Sequence, residues 1–342
     1  MRSKVYSFKI AIFLWSILLL AIVLSGCSQL TSDKEAASDK ESSSGERQKV
    51  SIALDSGVFS LPFRLAGDKG LFKKYGVDAE FATYSFGIDT LNTVITNQAD
   101  IGIAMDYAAL TRVGKGDLKI VSRFAIPNSN RRQLLVKGNI NKPEDLKGKR
   151  VGVQSGTVVE YIWARYLEKY NIKKTDITIE PLTSTAEIYT AFEKGEIDGA
   201  WFDGPFLDKA KNVAGAKFLA DLNNIDFIMR GYVVASGDFV QKNPETISKI
   251  LKALNEANPY IKEHPDEAAD LAFKELKLPA DKVQEEVKRD WVFDITFNQD
   301  DIKHLQDILE WTQKNGLIKE KFNINDKIAV APLEQALPDK TN

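Results

Sequence analysis

Two short stretches, Ser56-Gly57 and Ser155-Gly156-Thr157, set hydroxyls beside a glycine where a helix is about to begin. Such a turn offers free backbone N–H groups and a favourable dipole end to an anionic or acceptor-rich group. Any one of these residues is equally well read as a plain helix cap. Their recurrence in two halves of the chain is what favours binding. A third stretch, Asp203-Gly204-Pro205, is a stiff turn held between Trp201 and Phe206. Asp106-Tyr107 and the run from Tyr84 through Gly87 follow other strand ends, and Phe59 lies just beyond Ser56-Gly57. Hydroxyls, carboxylates and aromatic faces of this kind hold a small molecule in place. They do not by themselves break a bond.

Patterns for catalysis fail one by one. Gly114-Lys115-Gly116 lacks the full phosphate-loop pattern. In Gly152-Val-Gln-Ser155-Gly156 the serine stands one place late for a nucleophile elbow. Only two histidines exist: His264 ahead of a proline, and His304 on a polar helix. Neither is expected to be catalytic or to bind a metal, and no cofactor is expected. The chain is expected not to be an enzyme.

The one cysteine stands in Leu24-Ser25-Gly26-Cys27, behind Arg2, Lys4, Lys9 and an apolar run from Ile10 to Val23. Positive flank, short apolar core and small residues before a cysteine make up an export signal. The run is shorter than the roughly 20 residues a membrane-spanning helix needs. The pattern resembles the lipobox of bacterial lipoproteins, which implies cleavage after residue 26 and lipidation of Cys27 on the extracytoplasmic face of the cell membrane. Residues 27–48 hold Ser, Lys, Asp and Glu with Leu30 as the only large apolar side chain, a composition expected to form a disordered tether. Loss of residues 1–26 moves the formal net charge from −2 to −5, so no basic footprint for nucleic acid is left.

The remaining 290 or so residues are comfortable for two lobes. Strand-like and helix-like segments alternate, which points to an α/β protein with mainly parallel sheets. Lys49–Leu54 and Arg150–Val153 read as equivalent strands, because Leu54-Asp55-Ser56-Gly57 answers Val153-Gln154-Ser155-Gly156. Ala99-Asp100-Ile101-Gly102 answers Ile197-Asp198-Gly199-Ala200 at almost the same offset. Leu61 to Tyr75 is expected to be one helix, and the chain beyond GYVVAS (231–236) only helices. The expected division is 49–136 with 232–342 as one discontinuous lobe and 137–231 as the other. In open α/β sheets a ligand sits beyond the carboxyl ends of the strands, which is where all the loops above fall.

The stretches SLPFRLAGDKGLFKKYGVDAEF, NQADIGIA, PEDLKGKRVGVQSGT and FEKGEIDGAWFDGP follow in order over residues 50–240. Together they resemble the nitrate/sulfonate/taurine group of ABC-importer solute-binding proteins, which includes binders of pyrimidine precursors. The resemblance implies a type II periplasmic-binding-protein fold, with two lobes joined by hinge strands and a solute in the cleft. It implies an ABC permease and its ATPase as partners, with the binding protein acting as a monomer. Ser56, Phe59, Gly87, Asp106, Ser155, Gly156, Thr157 and Asp203 fall in the family's ligand loops; Tyr84, Tyr107, Trp201 and Phe206 are added from the residues themselves. The expected ligand is a small organic solute of the aliphatic sulfonate or taurine kind. A heterocycle such as a thiamine pyrimidine precursor is the alternative, as are a sensory lipoprotein or an enzyme on the same fold. One feature departs from the family. Asp55, Asp89, Asp106 and Asp203 make the loops acidic, with Arg112, Arg131 and Arg132 only nearby, which disfavours a bare anion.

Overall fold

The computed structural model describes residues 47–341. The expected signal, the lipidated Cys27 and nearly all of the tether lie outside the described residues. The first part of the chain runs β1 (Gln48–Asp55), α1 (Leu61–Asp68), α2 (Leu71–Lys74), β2 (Val77–Tyr84), α3 (Gly87–Ile95), β3 (Ile101–Met105), α4 (Asp106–Val113) and β4 (Leu118–Pro127). The middle is β5 (Gln133–Val136), β6 (Arg150–Val153), α5 (Val158–Lys169), β7 (Thr178–Pro181), α6 (Thr185–Lys194), β8 (Gly199–Phe202), α7 (Gly204–Lys211) and β9 (Lys217–Asp221). The last part is β10 (Gly231–Ser236), α8 (Gly237–Lys242), α9 (Pro244–Glu263), α10 (Pro265–Leu276), α11 (Ala280–Arg289), β11 (Trp291–Thr296), α12 (Gln299–Lys314) and α13 (Ala331–Ala336).

The strands form two sheets, ordered β11-β4-β10-β3-β1-β2 and β7-β6-β8-β5-β9. The halves echo each other. β1 pairs in parallel with β2 and β3, and β6 pairs in parallel with β7 and β8. The α/β two-sheet architecture is therefore as expected. The balance of pairings is not: β10, β4 and β11 in the first sheet, and β5 and β9 in the second, pair antiparallel. β4, β5, β9 and β10 flank the two passages between sheets, where no βαβ crossover imposes a parallel return, and β11 is added at the edge by the tail.

Three further details correct the sequence reading. The helix expected over Leu61–Tyr75 is broken, because Gly70 takes φ +68° and separates α1 from α2. Gln133–Val136, counted with the first lobe, hydrogen-bonds into the second sheet beside β8 and β9. The tail is not purely helical. Trp291–Thr296 pairs antiparallel with β4, Trp291 opposite Pro127, and closes that edge of the first sheet. Five of its six residues are β-branched or aromatic, a β-former composition that the flanking helical pattern outweighs.

The first sheet buries its apolar interior at β1, β3, β4 and β10, where Leu54, Ile103, Phe124 and Val233 are fully enclosed, and one face of the second sheet has a cluster of its own around Leu135, Phe192 and Phe202. The long helix α9 packs on α1, α2, β11 and α13, so the C-terminal tail wraps the first sheet. Ser184 accepts the Glu187 N–H at 3.1 Å and Gly195 ends α6 at φ +73°, matching the start and stop signals in that stretch.

Candidate functional site

β1 and β6 end at Asp55 and Val153, and the helices after them start toward the same hollow. That hollow, a cavity of about 530 Å³, is lined from both sheets and from the tail. The N-terminal ends of α3, α5 and α7 reach it through Gly87-Ile88, Thr157-Val158-Val159 and Gly204-Pro205; the short turn Val58–Ser60 adds a fourth. First-turn N–H groups have no acceptor within their own helix. Their convergence makes a site suited to an anionic or acceptor-rich group.

The structure brings seven of the twelve expected residues to this cavity: Ser56, Phe59, Gly87, Thr157, Trp201, Asp203 and Phe206. Gly87 is there for packing, since a Cβ on it would meet the Ile103 carbonyl at 2.8 Å. Thr157 caps α5 by accepting the Val159 N–H and donates its own hydroxyl to the Gln154 carbonyl at 2.8 Å. The ordinary reading of that residue, as a cap, thus holds alongside its place in the lining. Trp201 is almost wholly buried against Trp163 and Tyr166, and its indole N–H meets no partner.

The other five lie outside the lining. Asp106 is fully buried and spent on structure, accepting the Tyr107 and Arg230 N–H groups and meeting His304 Nε2 at 2.9 Å. Tyr107 stacks on Tyr161 and donates to Glu160. Tyr84 ends β2 opposite Asp55 in register. Gly156 turns the chain at φ +76°, with its N–H given to Glu160, and approaches Ile88 so closely that a Cβ would sit 2.8 Å from it. Ser155 faces a second hollow of about 610 Å³ between α5 and the end of α12, lined by Glu160, Glu168 and Lys174 among apolar groups.

The expectation of an acidic cleft is overturned. Asp89 and Asp106 do not line the cavity, whereas Arg131 and Arg132 do, with Lys209 and Lys277. The arginines sit on the five-residue passage from β4 to β5, between the two sheets. Arg131 donates to Asp203 Oδ2 and to Glu286 Oε2, each at 2.8 Å, and its guanidinium lies 4.7 Å over the Trp291 ring. Arg132 also pairs with Asp203. Asp203 caps α7 by position, yet its carboxylate makes no cap bond and turns to the arginines instead. Those two cations hold its pKa below the usual carboxylate value, against the cost of burial.

Asp55 behaves in the opposite way. Burial pushes its pKa up to about 6, opposed by the Gly57 N–H and by the Arg64 and Arg131 charges. Its Oδ2 accepts that N–H at 3.1 Å while Oδ1 is enclosed without a partner. Four cationic side chains therefore face three carboxylates, one of them readily protonated. Sequence reasoning placed the arginines nearby but missed Glu286, Trp291 and Leu278. These come from beyond residue 270, and no local pattern ties them to the site. The lining contains neither histidine nor cysteine. No cluster of metal-ligating side chains occurs among the described residues.

Residues 60–268 match the model of the family described as NMT1/THI5 like. The chain belongs to that family. It is 24% identical over 336 residues to a putative aliphatic sulfonates-binding protein of Bacillus subtilis, covering 95% of this chain and 97% of the relative. It is 25% identical to the taurine-binding periplasmic protein of Escherichia coli over 63% of this chain and 68% of that one. The crystal structure of the periplasmic aliphatic sulphonate binding protein SsuA from Escherichia coli superposes with a TM-score of 0.73 at 22% identity, over 82% of this chain and 92% of that chain. The periplasmic-binding-protein fold expected from the sequence is therefore the fold of this protein. The two relatives are named as binding proteins, one for aliphatic sulfonates and one for taurine.

Proposed function

We propose that the protein is the solute-binding component of an ABC importer and holds a small organic anion, of the sulfonate or taurine kind, in the cavity between its sheets. The observation that carries this reading is Arg131 and Arg132, set on the passage between the sheets with three helix N-termini around them. A sulfonate offers acceptor oxygens to such a cluster without needing a base or a metal. The two sheets with their helices then act as lobes, and closure on the solute requires that the solute bind the closed arrangement better than the open one. A lining without a nucleophile–base pair supports binding rather than turnover.

The lipobox-like stretch before Cys27 supports an exported protein anchored through that residue, which keeps the binder near its permease and raises the effective concentration. Replacing Cys27→Ser is expected to abolish incorporation of labelled fatty acid into the protein. A second reading, a heterocycle such as a pyrimidine precursor, is favoured by the enclosed, unpartnered Asp55 Oδ1, which suits a ring N–H donor.

The test is native mass spectrometry of the protein as purified, followed by thermal shift with sulfonates, taurine, nitrate and pyrimidines. A retained or stabilising organic anion is expected. Stabilisation by pyrimidines alone would give the second reading its case, and no shift with any of them would sink the proposal.

A further inference from the structure

The segment Lys277–Trp291 lies outside the family match, which ends at residue 268, yet it supplies six residues of the cavity wall. Within it, Glu286 marks the anion end, because it shares Arg131 with Asp203. Val283 lies one helical turn before Glu286 on the same face of α11, and Leu278 and Pro279 precede the helix; all three are apolar and line the cavity. From Ala280, the first residue of α11, to Glu286 the rise is about 9 Å at 1.5 Å per residue, and Leu278 and Pro279 lie beyond that.

The wall is preformed. Lys277 takes φ +60° and gives its N–H to the Phe273 carbonyl. This left-handed C-cap stops α10 and turns the chain into Leu278. Pro279 fixes the next step, so Leu278 is held between two constrained residues and packs against the core. Lys282 pairs with Asp208 of α7 at 3.3 Å, a surface contact that joins α11 to α7. Phe59, Trp201 and Trp291 give aromatic faces, and Met105 and Met229 add adaptable thioethers.

A two-carbon anion seated at Arg131 and Arg132 would leave the apolar wall of Val283, Leu278 and Pro279 without contact, forgoing the burial of that apolar surface. We infer that the Leu278–Glu286 segment is a selectivity wall, and that the solute is an organic anion whose body is a ring or comparably bulky apolar group about two helical turns long. This rests on the organic-anion reading above.

The experiment titrates the purified protein, its Leu278→Trp variant and its Leu278→Ala variant with ethanesulfonate and with benzenesulfonate, with thermal unfolding to show that each variant is folded. The wild type is expected to prefer benzenesulfonate by about tenfold or more, and both variants to lower that ratio at least about threefold. Leu278→Ala serves if the tryptophan variant does not fold. Equal affinities in the wild type, or an unchanged ratio in a folded variant, would overturn the selectivity wall while leaving the anion reading intact. Failure of both anions to bind would overturn the two together.

Discussion

Arg131 donates to Asp203 Oδ2 at 2.8 Å and thereby ties the passage between the sheets to the start of α7. Its second arm reaches Glu286 on α11. The guanidinium is thus the junction at which passage, second sheet and tail meet. Removing it leaves Glu286, whose side chain is 7% exposed, without its cation, and Asp203 with Arg132 alone.

Arg131→Ala is therefore expected to cost about 2 to 4 kcal/mol of stability, since breaking a buried pair leaves the partners' desolvation uncompensated. Urea denaturation measures it. Arg132→Ala leaves Asp203 paired with Arg131, and a smaller loss is expected. A finding that the two variants are equally stable would contradict the junction role.

The repeat of Asp55-Ser56-Gly57 in Gln154-Ser155-Gly156 located both strand ends of the site, because local turn chemistry and periodicity carry that information. The equivalence is uneven in detail: Ser56 lines the cavity, while Ser155 faces the other hollow. What could not be read locally is what arrives from far along the chain. Trp291 reaches the site because β11 pairs with Pro127, some 160 positions earlier, and Glu286 because α11 packs against α7. The acidic cleft was misjudged for the same reason. Asp106 and the arginines exchange roles only when His304 and the Arg230 N–H claim the aspartate.

Asp55 sets a pH dependence. Its folded pKa of about 6 lies above the ordinary carboxylate value of 3.8, so the folded state holds the proton more tightly. Stability from this group therefore falls as pH rises from about 4 to about 6, by up to about 3 kcal/mol. Above that range the ionised carboxylate also opposes an anionic solute. Anion affinity is expected to weaken several-fold between pH 5 and 8, and Asp55→Asn to flatten both profiles; calorimetry over that range decides, and an unaltered profile in the variant would count against it.

Asp106→Ala is expected to destabilise the protein by about 2 to 5 kcal/mol, because two backbone N–H groups and His304 lose a fully buried acceptor. The protein that remains folded should bind solute as before. A large loss of affinity with unchanged stability would return Asp106 to the ligand set.

Trp201 and Trp291 line the cavity, whereas Trp311 packs on Tyr161 and donates to Glu168 beside the other hollow. Solute binding is expected to change intrinsic fluorescence. Trp291→Phe should diminish that change, and Trp311→Phe should leave most of it. The reverse pattern would move the solute to the second hollow.

The central claim is that an organic anion is held at the arginine pair between the sheets. Isothermal titration of benzenesulfonate, ethanesulfonate and taurine into the wild type and Arg132→Ala tests it most directly. Saturable binding of at least one of them is expected, weakened about tenfold or more in Arg132→Ala. Equal affinity in both proteins, or no binding by the wild type, would contradict it.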